Sequence, residues 1–246
     1  MSRTPLPESS PQSSLEGRSL EQDAIACALG QQSDDAFYDI VTVRHLHRGQ
    51  TIFDGAGPEN VLVVVTSGLV KLISMLPDGR QQIVALLSGS DSYWQRVSAP
   101  DRLHAEAVSE TDICLFSGKQ FVDALGKHPA VRQALLERSL SDLDHARAQL
   151  LVLGRMAACE KVASLLLELW SKSVLQPPQR KSNLPVIVLL MTREDMADYL
   201  GLTLETVSRC LSQFKLQGII RLINARTIEI CNLDLLSAIG RRDIKG

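Results

Sequence analysis

Near the C-terminus, apolar and polar positions follow the period of two short helices separated by a turn. Thr192 offers a side-chain oxygen that can cap the first helix, and Asp195 stands three residues later as its reciprocal partner. Gly201 supplies the positive φ that a sharp turn requires. Thr203 can then cap a second helix, which we expect to run to about Gln217.

The second helix is predicted to carry two chemically distinct arcs, because each residue turns the chain by roughly 100°. Its apolar arc consists of Leu204, Val207, Cys210, Leu211 and Phe214, and its polar arc consists of Glu205, Ser208, Arg209 and Ser212. We expect the apolar arc to pack on the first helix at Ala197, whose small side chain permits close approach. The polar arc would then face outward, where a helix-turn-helix reads the major groove.

This polar arc carries groups that recognise base edges. Arginine can donate two hydrogen bonds to guanine, glutamate accepts one from the cytosine amino group, and serine bonds to either a base or a phosphate. The candidate DNA-binding residues are Thr192, Thr203, Glu205, Ser208, Arg209 and Ser212. An ordinary amphipathic helix pair with a solvated face is the alternative, but it does not account for the turn chemistry and the spacing together.

Short β-rich runs alternate with glycine turns between Val41 and Phe121, a pattern typical of a sandwich or roll. The predicted runs are Gly49–Phe53, Val61–Thr66, Leu69–Leu76, Gln82–Leu87 and Ala105–Phe116. Predicted turns fall at Asp54–Gly57, Ser67–Gly68 and Pro77–Gly79. The segment Gly55-Ala56-Gly57 is not a phosphate loop, since neither a helix start nor a lysine follows it.

A long helix is predicted from about Pro129 to Arg155. Its leucines and one alanine recur at spacings of three and four in a single stripe, which comprises Leu136, Leu140, Leu143, Ala146, Leu150 and Leu153. Such a stripe suits pairing with a second copy of the same helix, and burial against the chain's own β-roll is the alternative. Arg147 falls close to the stripe, where it would snorkel or meet an acid such as Asp144 of the second copy.

The remaining C-terminal pattern predicts a helix over Ala157–Ser171, a strand over Val186–Leu190 and a two-stranded wing around Asn224-Ala225, between Ile219–Leu222 and Thr227–Cys231. The predicted fold class is therefore α+β. Its parts are a mobile N-terminal tail (1–24), a β-roll (25–128), a dimerisation helix (129–156) and a winged helix-turn-helix (157–246).

Composition changes this picture little. The 246-residue chain can bury a sizeable core. Its formal net charge of −2 does not by itself indicate a nucleic-acid partner. Locally, the stretch from Arg147 to Ser182 holds six basic residues against two acidic residues, a net charge of +4, and could attract phosphates. No apolar run approaches the roughly 20 residues needed to span a bilayer, and the Ser-, Pro- and Glu-rich N-terminus lacks a secretory signal.

The five cysteines are odd in number and never spaced as Cys-x-x-Cys. We therefore expect no disulfide framework, and a reducing cytoplasm fits best. Cys210 directly follows Arg209 and is a candidate redox residue, because its oxidation could push the reading helix away from DNA. Its apolar arc favours an inert packed thiol instead.

No enzyme signature is present. The chain has no nucleophile and base at a recognised spacing, no metal-ligand cluster by spacing and no Gly-rich phosphate loop. A histidine could serve a haem as its axial ligand, and no spacing singles out one of the five for that role. The five are His45, His47, His104, His128 and His145. We expect neither a metal site nor a cofactor.

The segment Asp198–Arg209 resembles the Crp/Fnr family of cyclic-AMP receptor and fumarate-nitrate reductase regulators, in particular the Fnr and FixK branch with its Glu-x-x-Ser-Arg signature. By that resemblance Glu205, Ser208 and Arg209 read a TTGA-type half-site, with Arg209 on guanine. The β-rich region is similar to the family's β-roll sensor in its Gly-Gln-x-x-Phe pattern at Gly49–Phe53 and its Ser-Gly-x-x-Lys pattern at Ser67–Lys71. The long helix lies where the family places its dimerisation helix.

The resemblance also bears on what the β-roll senses. Members that bind cyclic nucleotide carry a Gly-Glu pair and an Arg-Ser pair, whereas this chain has Tyr93-Trp94 and Asp101-Arg102 near those positions. The Asp101 carboxylate at the phosphate position would repel a cyclic phosphate, although a one-residue shift of the alignment would bring Arg102 to that position.

The oxygen-sensing members hold an iron-sulfur cluster, and Cys114 lies near the position of one of its ligands. A four-thiolate cluster also needs the clustered N-terminal cysteines, which are absent here, since Cys27 stands alone. Cys114 is then a buried strand residue.

The sequence therefore predicts a homodimeric transcription regulator, an activator, which binds a palindromic DNA site and RNA polymerase without a cyclic nucleotide or an iron-sulfur cluster. The loop near Pro77–Gln82 and the wing are the polymerase-contacting surfaces that the resemblance implies. An effector-dependent regulator whose β-roll binds haem or another small ligand is the alternative. We expect no membrane partner and a cytoplasmic location.

Overall fold

The computed structural model describes residues 41–53, 60–75, 77–89, 91–95, 103–173 and 184–240. Several predictions lie outside these residues: the tail over 1–24, the turn at Gly55-Ala56-Gly57, Cys27 and the pair Asp101-Arg102. Among the described residues, no helix combines the length and the apolar character that crossing a membrane requires.

The N-terminal half is a roll of two antiparallel sheets. Its strands are β1 (Val41–Leu46), β2 (Val61–Ser67), β3 (Leu69–Met75), β4 (Gln81–Ser88), β5 (Ser92–Gln95), β6 (His104–Ala107) and β7 (Thr111–Ser117). One sheet has the order β1-β7-β2-β5 and the other β4-β3-β6. Their inward side chains form an apolar core that includes Val63, Val70 and Ile113, all fully buried.

Two strand predictions are wrong in this roll. Gly49–Phe53 forms only an isolated bridge between Thr51 and Glu106, because Gly49 has a φ of 81° and a turn joins Gln50 N–H to the His47 carbonyl. The run Ala105–Phe116 is two strands, β6 and β7, since the chain turns at Ser109-Glu110 between them. Strands β1 and β5 are further elements that the pattern did not reveal.

Six helices carry the rest of the described fold: α1 (Gly118–Lys127), α2 (Pro129–Arg155), α3 (Ala158–Ser173), α4 (Arg193–Leu200), α5 (Leu204–Leu216) and α6 (Leu233–Gly240). The prediction of a helix over Pro129–Arg155 is confirmed. Val131 packs into the core of the β-roll, and Arg138 pairs with Asp91, so this face of α2 is held against the roll.

The leucine stripe of α2 is not covered by the β-roll. Leu136, Leu140, Leu143 and Leu150 are 54%, 54%, 46% and 70% exposed, and Ala146 is also exposed, while Leu153 is half-buried. The alternative of burial against the chain's own roll is therefore wrong for these leucines, because the helix turns a different face inward. Arg147 pairs with Asp144 of its own chain, 3.0 Å away, rather than requiring an acid from a second copy.

The C-terminal part consists of α3 to α6 and a three-stranded sheet of order β8-β10-β9, with β8 (Val186–Val188), β9 (Ile220–Asn224) and β10 (Thr227–Ile230). The predicted wing is confirmed, with β9 and β10 antiparallel. One apolar cluster joins this part to the roll, because Leu69 and Val108 of the roll share it with Met196 and Phe214.

Candidate nucleic-acid interface

Helix α4 begins with the predicted capping box. Thr192 accepts a hydrogen bond from Asp195 N–H at 3.0 Å, and the Asp195 carboxylate accepts one from Thr192 N–H at 2.8 Å. At the other end, Gly201 adopts a left-handed conformation with a φ of 61°. These local interactions fix where the first helix starts and where the chain turns.

Helix α5 begins after Thr203, whose hydroxyl accepts a hydrogen bond from Thr206 N–H at 3.2 Å. The helix ends at Leu216, and Gly218 follows with a φ of 68°. Both ends agree with the sequence prediction, and the negative Glu205 in the first turn complements the positive end of the helix dipole.

The apolar arc of α5 faces the protein core. Val207, Cys210, Leu211 and Phe214 are each at most 1% exposed and share a cluster with Ala197 of α4, as predicted. Leu204 differs from the prediction, since it is 51% exposed. It is the first residue of α5, and no preceding turn of that helix covers it.

The polar arc faces outward. Glu205, Arg209, Ser212 and Thr203 are exposed, and Ser208 is half-buried. Thr192 is also exposed, but its hydroxyl and N–H serve the cap of α4. The Ser212 hydroxyl donates to the Ser208 carbonyl at 2.8 Å, which holds it along the helix surface. Glu205, Ser208 and Arg209 thus lie on one accessible side of the helix, near its N-terminus.

Arg193 is a residue of this surface that the sequence pattern did not single out. Its Nη1 lies 3.4 Å from the Ser208 hydroxyl oxygen, so it links the first turn of α4 to α5. In the sequence, only the position of Arg193 directly after the cap residue Thr192 marks it, because its partner Ser208 lies 15 residues away.

Lys161 of α3 contacts the other end of α4. It donates a hydrogen bond to the carbonyl of Leu200 at 3.3 Å, at the negative end of that helix.

Polar contacts from β3 and β4 hold the helix-turn-helix against the β-roll. Lys71 Nζ lies 2.8 Å from Asp195 Oδ1 and 3.1 Å from Glu106 Oε1. Burial alone would raise the pKa of Asp195, but the hydrogen bonds from Lys71 and Thr192 outweigh it and keep that pKa below its usual range. In addition, Gln81 Nε2 donates to Asp198 Oδ2 at 2.6 Å, so the β3–β4 hairpin contacts α4.

The cysteine prediction requires a correction. Cys159 of α3 and Cys210 of α5 form a disulfide, with their Cα atoms 5.2 Å apart although 51 residues separate them. The expectation of no disulfide framework thus missed this bridge, and the expectation of an inert packed thiol at Cys210 is wrong. Sequence spacing could not reveal this pair, because the packing of α3 on α5 brings it together. With this disulfide present, cysteine spacing does not indicate a reducing compartment. Cys114 is fully buried in β7, as predicted.

In the roll, Trp94 of β5 packs edge-to-face on Phe121, with ring centroids 5.9 Å apart, and is 37% exposed. The hydroxyl of the neighbouring Tyr93 is buried and has no hydrogen-bond partner among the described residues. Burial raises the pKa of Tyr93, which keeps the phenol neutral. This is the neighbourhood where the resemblance implies an effector pocket.

Comparison with known proteins agrees with this arrangement. Residues 160–239 match the Crp-like helix-turn-helix domain. The chain is 39% identical over 186 residues to the transcriptional activator protein FnrL of Cereibacter sphaeroides, covering 75% of each chain. It is 38% identical over 182 residues to the nitrogen fixation regulation protein FixK of Azorhizobium caulinodans, covering 74% of this chain and 72% of that protein.

Among solved structures, FixK2 from Bradyrhizobium japonicum superposes with a TM-score of 0.70 at 34% identity, covering 81% of this chain and 97% of that one. A CooA mutant from Carboxydothermus hydrogenoformans, at 20% identity and a TM-score of 0.69, shares the fold. Together with the exposed Glu-x-x-Ser-Arg face of α5, these similarities show that the chain belongs to the Crp/Fnr family of transcription regulators, on its FixK-like side.

Proposed function

We propose that this protein is a homodimeric transcription activator that recognises a palindromic TTGA-type DNA site through α5. The observation that carries the proposal is the placement of Glu205 and Arg209, which are both exposed on the same side of the first turns of that helix. Arg209 would donate to the guanine and Glu205 would accept from a cytosine amino group. Ser208, held by Arg193, would contact a base or a phosphate, while Thr192, Thr203 and Ser212 would border the contact.

The leucine stripe of α2 supports pairing of two copies. Four leucines with about half or more of their surface exposed lie along 15 residues of one helix, and water contact with such a stripe is unfavourable. Pairing two such helices would bury the stripe and would present two α5 helices to successive major grooves, about 34 Å apart. The β3–β4 hairpin tip and the wing remain the surfaces that we assign to RNA polymerase.

The decisive experiment combines selection of bound DNA with the Arg209→Ala variant. Wild-type protein should enrich a palindromic site, and Arg209→Ala should weaken binding to it by about 1–3 kcal/mol, or roughly 5- to 150-fold, and relax the guanine preference. Arg48→Ala serves as the matched control, since Arg48 is an exposed arginine of the β-roll. An unaltered sequence preference in Arg209→Ala would contradict the assignment.

Sedimentation tests the dimer. Leu140→Arg places a charge in the stripe and should shift the protein toward monomer at micromolar concentration, whereas Ser141→Arg, on an exposed position off the stripe, should leave it dimeric. If wild-type, cofactor-free protein sediments as a monomer at micromolar concentration, the idea that the dimer forms without an effector is contradicted.

An effector-dependent regulator is the second candidate, and the buried Tyr93 hydroxyl favours it, because a buried phenol with no hydrogen-bond partner in the described part of the chain can donate to or accept from a small ligand. Calorimetric titration with cyclic nucleotides and spectroscopic titration with haem distinguish the two. Heat or a Soret shift at stoichiometric ligand, followed by tighter DNA binding, would favour the effector. Full DNA affinity without any ligand would favour the effector-independent activator.

A further inference from the structure

A cluster of metal-ligating side chains lies at the end of β1, on the edge of the β-roll. His45 Nε2 is 3.0 Å from Glu110 Oε2, and His47 Nδ1 is 2.9 Å from the same oxygen. The three donor atoms all lie within 4.8 Å of one another. Two imidazole nitrogens and one carboxylate oxygen therefore lie close together on one surface.

The fold explains this convergence. His45 lies in β1, opposite Asp112 in the antiparallel register with β7, and Glu110 belongs to the turn that precedes β7. His47 follows His45 by two residues, so its side chain reaches the same side of the chain. The turn after it places Arg48 N–H 3.4 Å from the second Glu110 oxygen. Backbone pairing thus holds two segments, 63 residues apart, that supply all three donors.

Asp112 gives an independent indication that the cluster is organised for a cation. Its Oδ1 lies 2.8 Å from His45 Nδ1, and its Oδ2 accepts a hydrogen bond from the Ser67 hydroxyl at 2.8 Å. Histidines that bind metals commonly donate their second ring nitrogen to a carboxylate, which fixes the ring and increases its basicity. Here that carboxylate holds His45 Nδ1 and leaves His45 Nε2 facing Glu110 Oε2.

The distances fit a small transition-metal ion. A tetrahedral ion with ligand bonds of about 2.0–2.1 Å separates its ligand atoms by roughly 3.3 Å. The two nitrogen-to-oxygen separations of 3.0 and 2.9 Å would need to widen by only a few tenths of an ångström. The two imidazole nitrogens lie within 4.8 Å of each other, so side-chain rotation would bring them to the same spacing. All three side chains are more than half exposed, which gives an ion access and leaves a fourth position for water.

We propose that His45, His47 and Glu110 bind a first-row divalent transition-metal ion of the Zn²⁺ class, with Asp112 as the residue that orients His45. The site has three protein ligands and an open fourth position. The ion would join the end of β1 to the turn between β6 and β7. Since Val108, two residues before Glu110, is buried in the cluster shared with the helix-turn-helix, occupancy would brace the roll beside that junction.

The test uses full-length protein without a histidine tag, in a Cys231→Ser background because Cys231 is an exposed free thiol. After dialysis against a chelator, Zn²⁺ is titrated by calorimetry and Co²⁺ by its visible absorption. We expect one strong equivalent per chain and a Co²⁺ spectrum of tetrahedral intensity. His47→Ala removes a ligand and should weaken Zn²⁺ binding at least 10-fold, and Glu110→Gln should do the same.

Two variants separate a built site from general histidine binding. Asp112→Asn keeps all three ligands and should still weaken binding about 10- to 100-fold, as expected for an orienting carboxylate. His104→Ala removes an exposed histidine outside the cluster and should leave the affinity unchanged. The proposal is overturned if His47→Ala and Glu110→Gln bind Zn²⁺ as wild type does, or if His104→Ala loses as much affinity as they do. Circular dichroism of each variant checks that it is folded.

Discussion

Lys71→Met removes the ammonium group that connects the β-roll to the capping box of α4. In the folded protein this group lies between Glu106 and Asp195, and the side chains of Lys71 and Asp195 are only 13% and 11% exposed. Methionine retains most of the aliphatic stem, so the substitution tests the charge and its hydrogen bonds rather than the packing. Two carboxylates would then face each other without their shared cation.

The size of the effect follows from what remains around Asp195. Breaking a buried ion pair by removing one partner costs about 3–5 kcal/mol. Thr192 still donates hydrogen bonds from its N–H and its hydroxyl to Asp195 Oδ2, at 2.8 and 2.7 Å, so only Oδ1 is orphaned. We therefore expect Lys71→Met to lower the free energy of unfolding by about 3 kcal/mol, the lower end of that range.

Urea unfolding at one fixed protein concentration measures this loss. The control is Arg80→Met, because Arg80 pairs with Asp78 on the exposed hairpin, where side chains are 76% and 53% accessible, and an exposed pair contributes at most about 1 kcal/mol. Combining Lys71→Met with Asp195→Asn should show a coupling energy of about 1–3 kcal/mol. Equal losses in Lys71→Met and Arg80→Met would refute the argument that burial makes this pair important.

Three further predictions concern the glycine turns, acid stability and the disulfide. A Cβ at Gly68 would clash with the Glu110 carbonyl oxygen and with Thr111 Oγ1, whereas nothing lies within 4 Å at Gly79, so Gly68→Ala should destabilise the protein by about 2 kcal/mol more than Gly79→Ala, measured by urea unfolding. Burial alone would raise the pKa of Asp195, but the Lys71 ammonium and the hydrogen bonds from Thr192 lower that pKa. The stability that the ionised carboxylate contributes is therefore complete above the ordinary pKa of an aspartate and is lost as the pH falls through the lowered pKa. A pH series of unfolding curves should therefore show a shallower acid limb in Asp195→Asn. Cys159→Ser should lower stability by about 4 kcal/mol under oxidising conditions, from the 51-residue separation to Cys210, and reductant should remove most of the difference from wild type.

Features encoded by neighbouring residues could be predicted from the sequence. The capping box of α4, the left-handed Gly201 and the buried arc of α5 each depend on residues within a few positions of one another, so the pattern contains the whole interaction. Strand β5 was missed for the opposite reason. Its sequence Ser-Tyr-Trp-Gln has no clear alternation, and pairing with β2 rather than its own composition makes it a strand.

Contacts between distant segments account for the rest. The Cys159–Cys210 disulfide and the convergence of His45, His47 and Glu110 arise when strands and helices pack, and no local spacing encodes either one. The exposure of Leu204 likewise depends on what covers the start of α5, which periodicity alone does not state.

Asp195 shows why a correct local assignment can still be incomplete. Its role as the capping partner of Thr192 was predictable, and the structure contains that interaction. An ionised carboxylate has about four acceptor positions, however, and the cap occupies only one oxygen. Because α4 packs against the β-roll, the other oxygen is removed from water and requires a donor, which Lys71 supplies from 124 residues away. A capping acid on a helix that docks against another part of the chain should therefore be expected to have a second, cationic partner. In this protein that partner ties the start of the helix-turn-helix to the β-roll.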